Sequence, residues 1–243
     1  MTTDTASTER SAYVKNLFKR IASHYDLMNR LMTAGFDLPL RRHAIRLAGM
    51  YGCQHVLDLG AGTGDITRIA LKKYPNLNLT AVDFTLEMLL AGKYWLNGNR
   101  CNGDALALPF ADCSFDVVIS AYLMRNVASI DAALEEQFRV LKPGGRITIL
   151  DTTRPRPNII APLRNFYLRH VIPVLGTFLT GDREAYTYLP SSTEGFVTAE
   201  TLAEKMQQAG FDSASFVIRL FGTMALHYAR KSEHPDILSS FEQ

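Results

Sequence analysis

The feature that most constrains this chain is a short apolar run that leads straight into a glycine-rich turn. The run His55–Leu59 has the composition of a short strand buried on both faces. Gly60, Gly62 and Gly64 follow, and they allow a sharp reversal and close approach of a ligand to the backbone. The helix expected to begin near Asp65 presents unpaired N–H groups to negative charge. This pattern predicts a cofactor site at the start of an α/β domain.

The spacing of the glycines distinguishes two cofactor classes. The dinucleotide fingerprint is G-x-G-x-x-G, whereas Asp65 stands here where the third glycine is expected. A pyrophosphate would meet that carboxylate, but the ammonium group of an amino acid would be attracted by it and by Asp58. The pattern favours S-adenosylmethionine, released as S-adenosylhomocysteine, over NAD.

Helices and short apolar strands alternate after the turn. We expect helices near residues 65–74, 86–96, 130–141 and 199–209, strands at 77–83, 115–121 and 146–151, and a final hairpin at 213–220 and 222–229. This alternation is typical of right-handed βαβ crossovers. The predicted fold is a doubly wound α/β domain with a mostly parallel, seven-stranded sheet, in which the whole chain forms one domain.

Two segments lie outside this alternation. Apolar residues with helical spacing between Val14 and Met32 predict a helix that ends at Gly35, within an N-terminal helical cap over residues 1–50. Residues 152–198 form a connection far longer than an α/β unit needs. We interpret this insertion as a lid over the substrate, with core packing as the alternative.

Polar residues at successive strand ends predict the rest of the cofactor site. Asp83 ends the second strand, where a carboxylate can accept hydrogen bonds from ribose hydroxyls. A further short strand is expected to end just before Gly103, and Asp104 follows it. The Asp104 carboxylate can accept a hydrogen bond from an adenine amino group, while the amide of Ala105 donates to the ring. Each residue alone could be only a turn or a cap. Together the cofactor candidates are Asp58, Gly60, Gly62, Gly64, Asp83, Phe84, Asp104, Ala105 and Ser120.

Composition argues against several classes of protein. The formal net charge of +2 does not favour nucleic acid as a partner. We interpret the basic group of Arg41, Arg42 and Arg46 as a solvated helix face. The three scattered cysteines fit neither a disulfide framework nor a zinc site, so we expect no metal and a cytoplasmic protein. The polar start has no signal-peptide pattern, and no apolar stretch is long enough to span a bilayer.

Several longer motifs resemble one known family. They are LFKRIASHYDLMN at 17–29, ALPFADCSFD at 107–116, RNV at 125–127, RVLKPGG at 139–145, YTYLPSS at 186–192 and ALHY at 225–228. Through them the chain resembles the ubiquinone/menaquinone biosynthesis C-methyltransferase family. The resemblance implies methylation of a ring carbon of a polyprenylated quinol such as demethylmenaquinol. It also implies that Thr63 contacts the cofactor together with Asp83, Asp104, Ala105 and Ser120.

The sequence departs from the family pattern in three places. Members usually carry Gly-x-His-Arg-x-Trp where residues 35–40 read GFDLPL. Residues 120–126 read SAYLMRN in place of a Phe-Gly or Tyr-Gly and Leu before Arg-Asn, and residues 151–155 read DTTRP in place of a Glu before Pro. A methyltransferase of another aromatic or lipid-like molecule is therefore the first alternative. A non-catalytic S-adenosylmethionine-binding module and an NAD-dependent oxidoreductase are the others.

Carbon methylation predicts a second set of residues. A quinol carbon becomes nucleophilic when a neighbouring hydroxyl loses its proton, and the phenolate then needs a donor or a cation. Arg125 and Asn126, just past the fourth strand, are candidates for that role, with a plain salt bridge as the alternative for Arg125. Tyr25, His227 and Asp104 are the alternative candidates for the base.

The predicted substrate also bears on where the protein works. A small, lipophilic quinol carries an isoprenoid tail that resides in a bilayer. We therefore expect peripheral contact with the inner face of the membrane. A homodimer is a further hypothesis.

Overall fold

The computed structural model describes residues 2–33, 35–52, 54–92, 99–154 and 195–233, with 162, 166–171, 174, 177, 192 and 193 between them. Three helices come first, α1 (Thr2–Ile21), α2 (Tyr25–Met32) and α3 (Asp37–Leu47). The elements that follow are β1 (His55–Leu59), α4 (Asp65–Lys73), β2 (Asn78–Asp83), α5 (Leu86–Ala91), β3 (Asn99–Asn102), β4 (Phe115–Ala121), α6 (Ile130–Val140), β5 (Leu141–Thr152), α7 (Ala199–Gln208), β6 (Phe211–Arg219) and β7 (Met224–Lys231).

The strands form one seven-stranded sheet in the order β3-β2-β1-β4-β5-β7-β6. Strands β1 to β5 pair in parallel, and β7 runs antiparallel to both of its neighbours. The predicted doubly wound sheet and its final hairpin are confirmed. Because the strand order reverses between β1 and β4, the connections that follow these two strands diverge and leave a crevice at their carboxyl ends.

The core lies on both faces of this sheet. Val56 and Ile119 pack with Ile45 of α3 on one face, whereas Leu57 packs with Leu134 of α6 on the other. Burial on both faces explains why the parallel strands read as continuous apolar runs.

The three largest differences from the predicted boundaries lie before the final hairpin. The expected single N-terminal helix is wrong, because a 3₁₀ turn at Ala22–His24 separates α1 from α2. Strand β5 begins at Leu141 rather than Arg146; Phe115 pairs with Leu141 and Val117 with Arg146, so residues 142–145 bulge out of the strand. Helix α5 ends at Ala91, and residues 93–98 of the helix predicted there lie outside the described residues.

Most of the predicted lid, residues 152–198, lies outside the described residues, so its role stays a prediction. Within it, the hydroxyl of Tyr167 donates to the carbonyl of Leu31 at 2.7 Å, which ties this segment to α2. Within the described ranges, no helix combines the length and the apolar character needed to cross a membrane.

Candidate active site

The turn after β1 depends on backbone geometry that favours glycine. Gly60 and Gly62 have φ values of +68° and +59°, in the left-handed region. A Cβ on Gly60 would also lie 2.9 Å from the side chain of Leu123. Helix α4 begins directly after this turn, at Asp65, as the sequence predicts.

Two carboxylates, that of the buried Asp58 and that of the half-buried Asp83, tie strand ends to the segments that follow. The two carboxylate oxygens of Asp83 accept from the amides of Gly62 and Thr85, each at 2.8 Å. One oxygen of Asp58 accepts from the amide of Thr67 at 3.0 Å and from its hydroxyl at 2.7 Å. Burial outweighs these hydrogen bonds and raises the pKa of both Asp58 and Asp83 to about 6.

A cleft opens at the carboxyl ends of β1, β2 and β4. Six of the predicted cofactor residues line it, namely Gly60, Gly62, Asp83, Phe84, Asp104 and Ala105. The structure therefore brings the turn and two strand ends into one site.

Four predicted cofactor residues do not line this cleft. Asp58 and Gly64 shape the turn and the start of α4 instead. The hydroxyl of Thr63 donates to the carboxylate of Asp26, which ties the turn to α2. Ser120 is fully buried within β4. Direct contact of these four residues with a cofactor stays a prediction.

Part of the cleft wall comes from α1, which the sequence predicts as a cap without indicating its contacts. Val14 and Phe18 of α1 line the cleft and pack with Met88 of α5. An exposed ion pair of 2.8 Å between Lys19 and Glu87 also joins the two helices. The helical spacing of the apolar residues was the only signal for this wall.

Arg125 and Asn126 occupy different environments. The guanidinium of Arg125 forms a buried ion pair with Asp151 at 2.7 Å, and Arg125 does not line the cofactor cleft. Asn126 does line it, and its side-chain amide donates to the carbonyl of Tyr122 at 2.9 Å. Asn126 is therefore better placed than Arg125 to meet a bound molecule.

Tyr25 and Asp104 both line the cleft. Burial raises the pKa of Tyr25, and the nearby charges of Arg125 and Arg41 only partly oppose this. The Tyr25 hydroxyl therefore stays protonated at neutral pH and suits a donor better than a base. One carboxylate oxygen of Asp104 accepts from the amide of Leu106 at 2.9 Å.

The structure does not bring His227 to the cleft. Its Nε2 bonds to the carbonyl of Ala199 at 2.9 Å, and its ring lies 5.5 Å from that of Phe216. Burial lowers the pKa of His227 and keeps the ring neutral. These contacts link β7 to α7, which is a structural role.

The interpretation of the basic group as solvated is wrong for Arg41. Arg42 and Arg46 are exposed, but Arg41 is only 4% exposed because that side of α3 packs against the rest of the domain. Its guanidinium lies 3.7 Å from the Asp65 carboxylate and 5.0 Å from the ring centre of Tyr122. Tyr122 lines the cleft with a φ of +64°, which is unusual for a residue with a side chain.

This sheet order, with a cleft at the carboxyl ends of its central strands, defines the fold as that of a class I methyltransferase. A S-adenosylmethionine-dependent methyltransferase from Thermotoga maritima has a similar structure, with a TM-score of 0.63 and 18% identity over 90% of this chain and 100% of that chain. Phosphoethanolamine N-methyltransferase 2 from Haemonchus contortus, in complex with S-adenosyl-L-methionine, gives a TM-score of 0.56 and 16% identity over 77% of this chain and 50% of that one. At these identities the likeness concerns the fold.

The chain belongs to the ubiE/COQ5 methyltransferase family, whose model matches residues 5–231. The ubiquinone/menaquinone biosynthesis C-methyltransferase UbiE of Desulfotalea psychrophila is 43% identical over 221 residues, 90% of each chain. The demethylmenaquinone methyltransferase of Roseiflexus castenholzii is 38% identical over 222 residues, 90% of this chain and 93% of the relative. The resemblance inferred from the motifs is confirmed, and the protein is a methyltransferase.

Proposed function

We propose that the protein transfers the methyl group of S-adenosylmethionine to a ring carbon of a polyprenylated quinol, demethylmenaquinol or a close relative. The observation that carries this proposal is the single cleft in which Asp83 and Asp104 meet Tyr25 and Asn126. The names of the relatives support the quinol as acceptor. The fold alone would support many methyl acceptors.

The cleft suits the methyl donor. The carboxylate of Asp83 retains acceptor capacity for ribose hydroxyls beyond its two backbone hydrogen bonds. Asp104 and the amide of Ala105 would hold the adenine ring, and the amides of the turn would face the amino-acid end. When bound, this group supplies an electrophilic methyl on a sulfonium.

The residues of this chain then orient the acceptor and exclude water. In-line methyl transfer gains most from alignment of the two reacting atoms, and a closed, apolar site protects that geometry. Val14 and Phe18 of α1 contribute an apolar wall. The Tyr25 hydroxyl and the Asn126 side chain contribute polar groups for the oxygens of the acceptor.

The exposed charges of α3 and α4 support peripheral contact with a membrane, where a polyprenylated acceptor resides. Both carboxylates of these helices, Asp37 and Asp65, are buried. The charged side chains that reach solvent there are all cationic, namely Arg42, Arg46, Arg68, Lys72 and Lys73. Phe36 and Phe221, 51% and 69% exposed, line an adjoining groove. Cations beside exposed aromatic rings fit an anionic phospholipid surface. The homodimer stays a prediction.

Methyl transfer from labelled S-adenosylmethionine to a panel of reduced quinols tests the proposal. The panel contains demethylmenaquinol, its benzoquinol counterpart and unrelated phenols, and calorimetry measures binding of the donor separately. We expect binding of the donor and labelled product from a polyprenylated quinol. If the protein binds S-adenosylmethionine but methylates no quinol, the fold assignment stands and the proposed methyl acceptor is refuted. Preferential binding of reduced nicotinamide would refute the donor.

A further inference from the structure

Asp37, Arg41 and Tyr122, of which Tyr122 lines the cleft, each carry a buried polar atom without a hydrogen bond in the described part of the chain. Neither carboxylate oxygen of Asp37, which is 0% exposed, has a partner in the described part of the chain. The same holds there for the hydroxyl of Tyr122 and for Nε of Arg41. The amide of Asp37 donates to the Thr33 hydroxyl at 3.0 Å, so the local backbone is satisfied and the side chain is not.

These three side chains form one cluster. The guanidinium carbons of Arg41 and Arg125 lie 5.0 Å and 5.1 Å from the ring centre of Tyr122. The charge of Arg41 also acts on Asp37 and Tyr122, lowering the pKa of each against the larger effect of burial. Tyr122 in turn lines the cofactor cleft, so the cluster adjoins the place where the methyl donor is proposed to bind.

The cluster is costly for the protein alone. A buried hydroxyl without a partner destabilises the folded state, and an unpaired carboxylate destabilises it more when ionised. The left-handed backbone of Tyr122 adds strain. Costs of this kind persist at functional sites, where a ligand supplies the missing partners. An arrangement that served only stability would replace these groups with apolar side chains.

We propose that Asp37, Arg41 and Tyr122 bind an ionisable hydroxyl of the aromatic acceptor, an assignment that rests on the proposed function. The carboxylate of Asp37 accepts the proton of that hydroxyl. The N–H groups of Arg41 and the O–H of Tyr122 donate to the oxyanion that remains. The acceptor therefore supplies hydrogen-bond partners to the Asp37 carboxylate and the Tyr122 hydroxyl, and it adds to the Asp65 carboxylate that lies 3.7 Å from Arg41.

The step balances without another reactant. The electron pair of the oxyanion moves into the ring, and the adjacent ring carbon bonds the methyl group while the carbon–sulfur bond to the donor breaks. That ring carbon then loses its proton to water, which restores aromaticity. Asp37 finally returns its proton to the oxygen. One methyl group is gained and one proton is released.

Tyr122→Phe is the sharpest test, because it removes an atom that bonds nothing in the described part of the chain. A structural role predicts unchanged kcat/KM. We expect instead a fall in kcat/KM for demethylmenaquinol of about 10²-fold, with a raised Tm and unchanged affinity for S-adenosylmethionine. Tyr51→Phe is the matched control, because this exposed tyrosine also lies near an arginine, 5.8 Å from Arg146. Tyr51→Phe should change neither kcat/KM nor Tm.

Asp37→Asn provides a second, near-isosteric variant. It removes the proton acceptor and keeps the shape, so we expect a large loss in kcat, little change in KM and an unchanged or raised Tm. If wild type methylates the quinol and both variants retain wild-type kcat/KM, this assignment is overturned while the proposed function stands. If wild type binds the donor but methylates no quinol, the proposed function itself fails.

Discussion

The two sides of the cleft differ in how three of their polar side chains, Asp83, Asp37 and Tyr122, are satisfied. On the cofactor side, both carboxylate oxygens of Asp83 accept hydrogen bonds from backbone amides. On the acceptor side, Asp37 and Tyr122 carry buried oxygens that have no partner within the described ranges. The backbone preorganises Asp83, whereas on our proposal a bound acceptor completes Asp37 and Tyr122. Substitutions should therefore act in opposite directions on the stability of the two sides.

The largest effect on stability should come from breaking the buried ion pair of Arg125 and Asp151. Arg125→Ala leaves Asp151 charged and buried, so we expect a loss of about 3–5 kcal/mol in the free energy of unfolding. Lys142→Ala removes the partly exposed pair with Asp116 and should cost about 0–1 kcal/mol. Urea denaturation measures both variants. Equal losses would show that the Arg125 pair is not a buried structural contact.

Binding of the donor should depend next most strongly on Asp83. Asp83→Asn replaces one acceptor oxygen with a donor, so one amide of Gly62 or Thr85 loses its partner and the ribose loses a charged acceptor. We expect the Kd for S-adenosylmethionine to rise about 10–100-fold, equivalent to roughly 1.4–2.8 kcal/mol. Calorimetry tests this, with Asp212→Asn on the exposed surface as control. An unchanged Kd for S-adenosylmethionine would contradict the assignment of Asp83 to the cofactor site.

The pH dependence of S-adenosylmethionine binding tests the same role of Asp83. Burial raises the pKa of Asp83 to about 6 in the free protein. The ionised carboxylate accepts hydrogen bonds more strongly, so the affinity for the donor should fall as the pH drops through 6, by at most about tenfold per pH unit. Asp83→Asn should flatten this profile. A wild-type profile that is flat between pH 5 and 7 would contradict the assignment.

The cofactor side was predictable because its signals are local. A strand end is marked by an apolar run, and Asp83 and Asp104 stand at such ends. Gly60 and Gly62 mark the sharp turn in the same way. Parallel strands bring these positions to one edge whatever the details of packing, so sequence order alone placed them.

The acceptor side could not be predicted in this way. Arg41, Arg42 and Arg46 are alike in the sequence, and only the packing of α3 decides that Arg41 is buried. The positive φ of Tyr122 has no sequence signal, because tyrosine rarely adopts it. The departure from the family pattern at residues 35–40 was the one sequence clue, and Asp37 lies within it.

The smallest effect should come from the proposed membrane surface, which lies outside the cleft. Arg46→Gln removes one exposed cation beside Phe36 and should weaken binding to phosphatidylglycerol vesicles about fivefold, equivalent to about 1 kcal/mol. Arg230→Gln, an exposed cation at the far end of β7 from Phe221, is the matched control. Sedimentation with vesicles of phosphatidylcholine alone should show no binding for any variant. Binding that is equal for both variants would refute this surface.

The most direct test of the central claim is the position of the transferred methyl group. Demethylmenaquinol is incubated with S-adenosylmethionine carrying a ¹³C-labelled methyl group, and the product is analysed by NMR. The account predicts a methyl group bound to a ring carbon, with loss of the ring proton at that position. A methyl group on oxygen, or no labelled product from a protein that binds the donor, would contradict it.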